Sequence, residues 1–293
     1  MERVDIAIIG TGPAGISAAI NAKIRNKTFT LFGTDKLSAK VDCSERIENY
    51  PGIGGVTGPE LNGHFRKQLE DLEIPITQEQ ITGIYNMGKY FLIMADQTEY
   101  EASSVIIATG VEAVKAIPGE RELLGRGVSY CATCDGRLYK GKKIAVVCDN
   151  VNMEEEVDYL CGLAAKVYYF PLFKSDFEKE NIERVESHIA GIDGTDRVEG
   201  ITLKNGEKLE LDGVFFLKQS VSADILLRGL KMEDGHIVVD RNMASSVKGC
   251  FAAGDCTGRP YQITKAVGEG NIAAHAAIAY LAEQNKDKKG EQK

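Results

Sequence analysis

The stretch VDIAIIGTGPAGISAAINAKI, residues 4–24, limits the possible folds more than any other. An apolar run ends on Gly10, glycines stand at 10, 12 and 15, and small apolar residues follow at helical spacing. That pattern reads as a buried strand, a tight turn and a helix. It matches G-x-G-x-x-G in the context that gives the motif meaning. Gly10 permits the turn, Gly12 lets a phosphate reach the backbone, and Gly15 lets the helix pack closely on the sheet. With Pro13 and Ala14 between them, they aim a helix N-terminus, with free N–H groups and a positive dipole end, at a diphosphate. About 20 residues on, after the strand TFTLF, come Gly33, Thr34 and Asp35, where an acid accepts hydrogen bonds from an adenosine ribose. The expected ligand is a dinucleotide, FAD or NAD.

A later stretch, CFAAGD (250–255), with a helix starting near Gln262, decides between them. It reads as the second half of an FAD site. The chain turns at Gly254 and Asp255 is placed for the ribitol hydroxyls. The helix start at Gln262 and Ile263 points partial positive charge at the flavin N1/O2 edge. FAD is the expected cofactor.

The same arrangement recurs at 142–160, KKIAVVCDNVNMEEEVDYL, without the glycines. A strand, Ile144 to Val147, runs into a Glu-rich helical pattern through Cys148, Asp149 and Asn150. From about residue 128 to 240 the chain keeps its own run: KIAVVC, a helix, KVYYF, then GITLKNGEKLEL and GVFFL. The expected class is α/β, with two Rossmann-like, dinucleotide-binding-type domains. The FAD domain is discontinuous, 1–112 and 243–293, and a smaller α/β domain, 113–242, is inserted into it. VEAVKAIPGE (111–120) reads as the linker, and the run Glu154–Glu156 as a solvated helix face.

The inserted domain also holds YCATCDG. Cys131 and Cys134 are spaced so that they can form a small, reducible disulfide. A zinc half-site and two unlinked buried thiols are the competing readings. Zinc needs a second pair at ligand spacing, which Cys148/Cys161 and Cys250/Cys256 do not offer, so no metal is expected. Asp135 follows, placed to exchange a proton with a departing thiolate or simply to form a turn before Gly136. Of the seven cysteines, Cys43, Cys148, Cys161, Cys250 and Cys256 read as core or incidental thiols. Mostly free thiols fit a reducing compartment. The N-terminus enters a strand at once, so the expectation is a cytoplasmic protein without a secretory leader. No run approaches the roughly 18 apolar residues of a membrane span. A net charge of -8 speaks against nucleic acid as a partner.

GTGPAG, CATCD inside an inserted α/β domain, and AAGD before the last helix occur in one order. Together they resemble the low-molecular-weight thioredoxin reductases across almost the whole chain. ENYPG (48–52) fits as well, Asn49 matching an Asn which that family sets near the flavin. Ala108, Thr109 and Gly110 match the strand end where the chain leaves the FAD domain. KLSAKV (36–41) departs from the pattern, where Gly-Gly-Gln is usual. The resemblance implies that Cys134 faces the flavin and Cys131 attacks the disulfide of thioredoxin. It also implies a homodimer whose domains rotate, burying the dithiol and then presenting it.

Members of that family normally take hydride from NADPH on the inserted domain, through Gly-x-Gly-x-x-Ala and an Arg-rich segment beyond the next strand. Here Cys148, Asp149 and Asn150 stand at the glycine positions, and Phe170, Pro171 and Leu172 where His-Arg-Arg is expected. The chain therefore looks most similar to the ferredoxin-dependent flavin thioredoxin reductases, with ferredoxin as electron donor and thioredoxin as acceptor. RLYKGKK (137–143), four cations without an acid, reads as a docking patch for an acidic carrier or as an ordinary basic loop. Two rivals stay open: an NADPH-dependent reductase with a degenerate nucleotide site, and a non-enzymatic flavin and dithiol redox sensor.

Overall fold

In a computed structural model, which describes residues 3–95, 98–110, 117–217 and 223–290, the chain forms two compact units. The first comprises Met1–Val111 and Ser222–Lys293, the second Glu112–Val221.

In the first unit the strand Val4–Ile9 lies parallel between Phe29–Phe32 and Thr98–Ile107. The strand Thr98–Ile107 changes character along its length. Its first half pairs antiparallel with Phe91–Ala95, Ala102 opposite Phe91, and its side chains are partly exposed. Its second half pairs parallel with Val4–Ile9 and with Cys250–Ala252, and Val105, Ile106 and Ile107 are wholly buried. An open antiparallel meander thus gives way to a parallel layer covered on both faces, where alternation of apolar and polar residues is lost.

Two helices cover that layer, Pro13–Ile24 and Ile263–Gly290. They lie close because glycine and small residues meet. A Cβ at Gly270 would sit 2.1 Å from Ala14 O. Ser17 Oγ donates to Val267 O at 2.7 Å and Asn271 Nδ2 to Asn21 Oδ1 at 2.9 Å. The helix Gly58–Asp71 begins with a full capping box, Thr57 and Glu60 each bonding the other's backbone N–H, which satisfies two orphan donors.

The second unit has a wholly parallel sheet in the order Ile182–Arg184, Lys166–Pro171, Lys143–Cys148, Gly213–Leu217, Val128–Ser129. The helix Glu154–Cys161 packs Val157 and Leu160 onto Val146, Tyr169 and Phe215, all without exposure. A separate antiparallel sheet, Ile189–Asp193, Gly200–Leu203 and Lys208–Glu210, takes up the alternating stretch. These are the two Rossmann-like α/β units expected, the first discontinuous in sequence and the second inserted between its two parts.

Residues 223–242, grouped in sequence with the inserted domain, fall in the first unit. Leu227 bridges Ile84 there, and Leu226, Leu230 and Ile237 are buried. Of the linker expected at 111–120, residues 111–116 lie outside the described residues. Among the described residues no helix is long and apolar enough to cross a membrane.

Candidate active site

The three glycines of the first turn divide by environment. Gly10 has φ +116°, and a Cβ there would meet Ala108 O at 2.4 Å; one at Gly15 would meet Gly10 O at 1.8 Å. Both are demanded by packing. A Cβ at Gly12 would meet nothing within 4 Å, so the backbone there borders open space. Gly12 is also the N-cap of Pro13–Ile24, with no side-chain cap and no acid in the first turn. Helix-start N–H groups lack intrahelical partners, so Gly12 and the turn from Pro13 and Ala14 to Gly15 form an uncapped anion cradle. Thr11, 3% exposed, pins this turn to the next loop: Oγ1 donates to Thr34 O at 2.9 Å and accepts Thr34 N–H at 3.1 Å. Asp35 is exposed beside it, after Gly33.

Next to this turn, Ala108 N–H bonds Ile9 O at 2.8 Å, and Thr109 and Gly110 follow directly. The turn at Gly254 is fastened by two side chains of the long helix. Gly254 N–H donates to Glu269 Oε2 at 2.9 Å, and Lys265 Nζ donates to Gly254 O and Gly258 O, each at 2.8 Å. Lys265 and Glu269 pair at 3.0 Å with under a fifth of either side chain exposed. Removing one partner of such a pair leaves the other charge uncompensated. Lys265→Met is expected to cost about 2 kcal/mol and to weaken flavin binding, read by thermal melting and cofactor titration.

Asn49 and Gln262, singled out separately in sequence, come together: Asn49 Nδ2 donates to Gln262 Oε1 at 2.8 Å, just ahead of the helix that starts at Ile263. Asp255 has a partner the sequence did not announce. Lys40 Nζ donates to its Oδ2 and lies 4.6 Å from the Tyr261 ring centroid. Lys40 belongs to the segment 36–41 that departs from the family pattern. Its short helix, Ala39–Asp42, is held by the Ser38 cap and by Asn62, which donates to Ser38 O and Asp42 Oδ1. Thr11, Lys40, Lys265 and Glu269 are the functional candidates that sequence reasoning missed; only Lys40 carried a signal, the departure itself.

In the second unit Cys131 is 8% exposed and disulfide-bonded, while Cys43, Cys148, Cys161, Cys250 and Cys256 are free thiols. Cys134 lies in the helix Ala132–Asp135; its side chain is outside the described residues. Cys131 N–H donates to Ser129 Oγ at 3.1 Å, and Ser129 Oγ donates to Asp135 Oδ2 at 2.7 Å. Burial pushes the thiols of Cys148 and Cys161 up to about 11 and those of Cys250 and Cys256 up to about 12.

The second strand-to-helix junction contrasts with the first. Cys148 ends the strand Lys143–Cys148 wholly buried, and its Sγ donates to Asn150 O. A 3₁₀ turn, Val151–Met153, precedes the helix Glu154–Cys161, whose first turn carries Glu154, Glu155 and Glu156. Glu154 is not solvated as expected: Oε1 accepts from Tyr169 Oη at 3.1 Å and from Ser175 Oγ. Burial, the leading cause, raises the Tyr169 phenol above its ordinary value. At the end of the next strand, Lys166–Pro171, Phe170 is buried, and Leu172 just beyond it is exposed. Arg184 supplies one cation nearby, with its guanidinium on Ser175 O and 3.7 Å from Glu186.

Two Rossmann-like units, one with a glycine cradle and one with a disulfide-bonded cysteine, define the class: a flavin-dependent disulfide oxidoreductase. The chain belongs to the pyridine nucleotide-disulphide oxidoreductase family, whose profile matches residues 4–148 and 171–270. It is 32% identical to the thioredoxin reductase of Bacillus subtilis (strain 168) over 301 residues, 95% of each chain. It is 35% identical to that of Treponema pallidum (strain Nichols), over 94% of this chain and 97% of the relative. A ferredoxin-flavin thioredoxin reductase from Clostridium acetobutylicum superposes with a TM-score of 0.89 at 49% identity, covering 97% of this chain and 99% of that one. The cofactor of this family is FAD, and the open, uncapped backbone at Gly12 fits its diphosphate.

Proposed function

We propose that this chain reduces thioredoxin with electrons from ferredoxin, passed through FAD and a Cys131–Cys134 disulfide. The observation that carries the proposal is the contrast between the two junctions. In the first unit the helix start is glycine-lined, uncapped and free of acid in its first turn. In the second it follows Asp149 and Asn150, carries three glutamates, and has Glu154 bonded inward. Carboxylates suit the positive end of a helix, and for that reason they occupy the place of a diphosphate and repel one. The first unit is a site for a dinucleotide; the second is not a site for NADPH. The family match breaks over the same ground, between residues 148 and 171. The likeness to the Clostridium acetobutylicum enzyme supports the same donor.

The roles follow from placement. Gly10, Gly12 and Gly15, with the N–H groups of Pro13–Ile24, hold the FAD diphosphate, and Asp35 the ribose. Asn49, Asp255, Gln262 and the N-terminus at Ile263 surround the flavin portion. When bound there, FAD would supply the two-electron chemistry that reduces the disulfide. Cys134 receives the electrons, Cys131 attacks the disulfide of thioredoxin, and Asp135 carries a proton to the departing thiolate. Arg137, Lys140, Lys142 and Lys143 are all exposed, with Leu138 68% exposed among them. Among the described residues none of the four forms an ion pair, which suits an acidic carrier. The energetics allow it: a ferredoxin near roughly -400 mV and a thioredoxin near roughly -270 mV release about 6 kcal/mol per electron pair.

Anaerobic stopped-flow mixing of the oxidised holoenzyme with each donor tests the proposal. Reduced ferredoxin is expected to bleach the flavin within seconds, while NADPH and NADH at millimolar concentration leave it oxidised. Prompt bleaching by either nucleotide sinks the ferredoxin reading in favour of a degenerate but working nucleotide site.

A further inference from the structure

Beside the dithiol stands a buried hydroxyl to which the roles above give no part. Ser129 is 3% exposed, and the pairing of its strand, Val128–Ser129, with Gly213–Leu217 sets it opposite Phe215. Its Oγ accepts Cys131 N–H at 3.1 Å and lies 2.7 Å from Asp135 Oδ2 and 3.2 Å from Cys131 O. A hydroxyl has one proton to give. The shorter distance and the carboxylate's charge direct it to Asp135. Asp135 N–H in turn donates to Cys131 O at 3.3 Å. One hydroxyl, anchored on a sheet strand, thus ties the carboxylate to the backbone of the cysteine four residues before it.

We infer that Ser129 is a positioning residue for the proton transfer, acting through Asp135. This rests on the reading of Asp135 as the proton carrier. Breaking the disulfide bond takes two electrons, supplied by the bound cofactor, and leaves two thiolates; one proton comes with the electrons as the reduced cofactor is oxidised, and the other comes from solvent by way of Asp135. The Asp135 carboxylate takes that proton from solvent, passes it to the thiolate and returns to the form that Ser129 holds. Ser129 neither gains nor loses a proton; it keeps the carboxylate in one place across the exchange. The other groups about Asp135 act less directly. The Tyr139 phenol is raised by burial first, then by the charges of Asp135 and Asp212, and Lys142 Nζ lies 5.3 Å from the Tyr139 ring centroid. The bland alternative is a turn hydroxyl that only satisfies the Cys131 N–H.

A double-mutant cycle separates the two. The FAD holoenzyme is reduced with dithionite and mixed with oxidised thioredoxin, and the first turnover is followed by the return of flavin absorbance. Asp135→Asn is expected to slow it about 100-fold, in the range of a lost general acid. Ser129→Ala is expected to slow it about tenfold, roughly the loss of one hydrogen bond to a charged group, while Ser129→Thr stays close to wild type. In the Asp135→Asn background, Ser129→Ala is expected to add nothing. Additive slowing in the double variant, or a wild-type rate for Ser129→Ala, overturns the inference and leaves the role of Asp135 standing. A wild-type rate for Asp135→Asn removes that role and the inference together. Should Ser129→Ala fail to retain FAD, Ser129→Gly takes its place in the cycle.

Discussion

Cys134→Ser holoenzyme is expected to keep its FAD and to lose thioredoxin reduction by roughly 10⁴-fold or more, the scale on which a covalent catalytic group is missed. Retention follows from placement: the proposed flavin contacts all lie in the first unit, whereas residues 131–135 lie in the second. Loss follows from thiol chemistry. Disulfide exchange runs through a mixed disulfide, and a lone Cys131 can form that bond with thioredoxin but has no neighbour to resolve it. The variant should therefore accumulate a covalent adduct visible by mass spectrometry, and Cys131→Ser should form none. No other thiol can deputise for Cys134 from the core. The nucleophile is the thiolate, and burial lifts Cys148 and Cys161 to about 11 and Cys250 and Cys256 to about 12. Cys43 is exposed in the first unit, and Cys43→Ser should turn over like the parent. Full turnover by Cys134→Ser would take the dithiol out of the mechanism and revive the redox-sensor alternative.

What was legible in the sequence was what sterics impose locally. The turn at 10–15 could be read because Gly15 presses against the backbone oxygen of Gly10 within the same βαβ unit, and Gly10 has φ +116°, which favours glycine. The missing glycines at 148–150 could be read for the same reason. Contacts that join distant parts of the chain left no such trace. Lys40 meets Asp255 across 215 positions, and Asn49 meets Gln262 across 213; charge and hydrogen-bonding capacity are visible in sequence, but the partner is not. Glu154 shows the limit within a single helix. Three consecutive glutamates have the composition of a solvated face, yet Tyr169 and Ser175, brought alongside by the next strand and loop, turn the first of them inward. That inward turn supplies the carboxylate which sharpens the case against a nucleotide on the second unit. The run 223–242 was misplaced by the same limit. Its short elements have no periodicity that names a host sheet, and only the burial of Leu226, Leu227 and Ile237 places them with the first unit.

Two glycines on one helix should respond to alanine in opposite directions. Gly270 is buried, and a Cβ there would lie 2.1 Å from Ala14 O, 2.8 Å from Ala14 C and 3.0 Å from Ala14 Cα. All three are backbone atoms of the helix Pro13–Ile24, so no rotamer can absorb the contact; the helices must move apart. Overpacking costs about 1–3 kcal/mol, and a clash with backbone belongs at the upper end. At about 2–4 °C per kcal/mol for a chain of this size, Gly270→Ala should melt roughly 6–12 °C lower. Because Ala14 lies in the first turn of the helix that faces the diphosphate, FAD should also bind about tenfold more weakly, a loss of about 1.4 kcal/mol. Gly268, two residues earlier, is exposed, and a Cβ there would meet nothing within 4 Å. Alanine at that position only improves helix propensity, by about 0.8–1.0 kcal/mol, so Gly268→Ala should melt slightly higher with FAD affinity unchanged. Calorimetry of both holoenzymes with parallel FAD titrations measures the pair. Equal melting temperatures for the two variants would mean that the phosphate-binding helix does not lean on Gly270, and the close packing that sets the cradle at Gly12 would need another source.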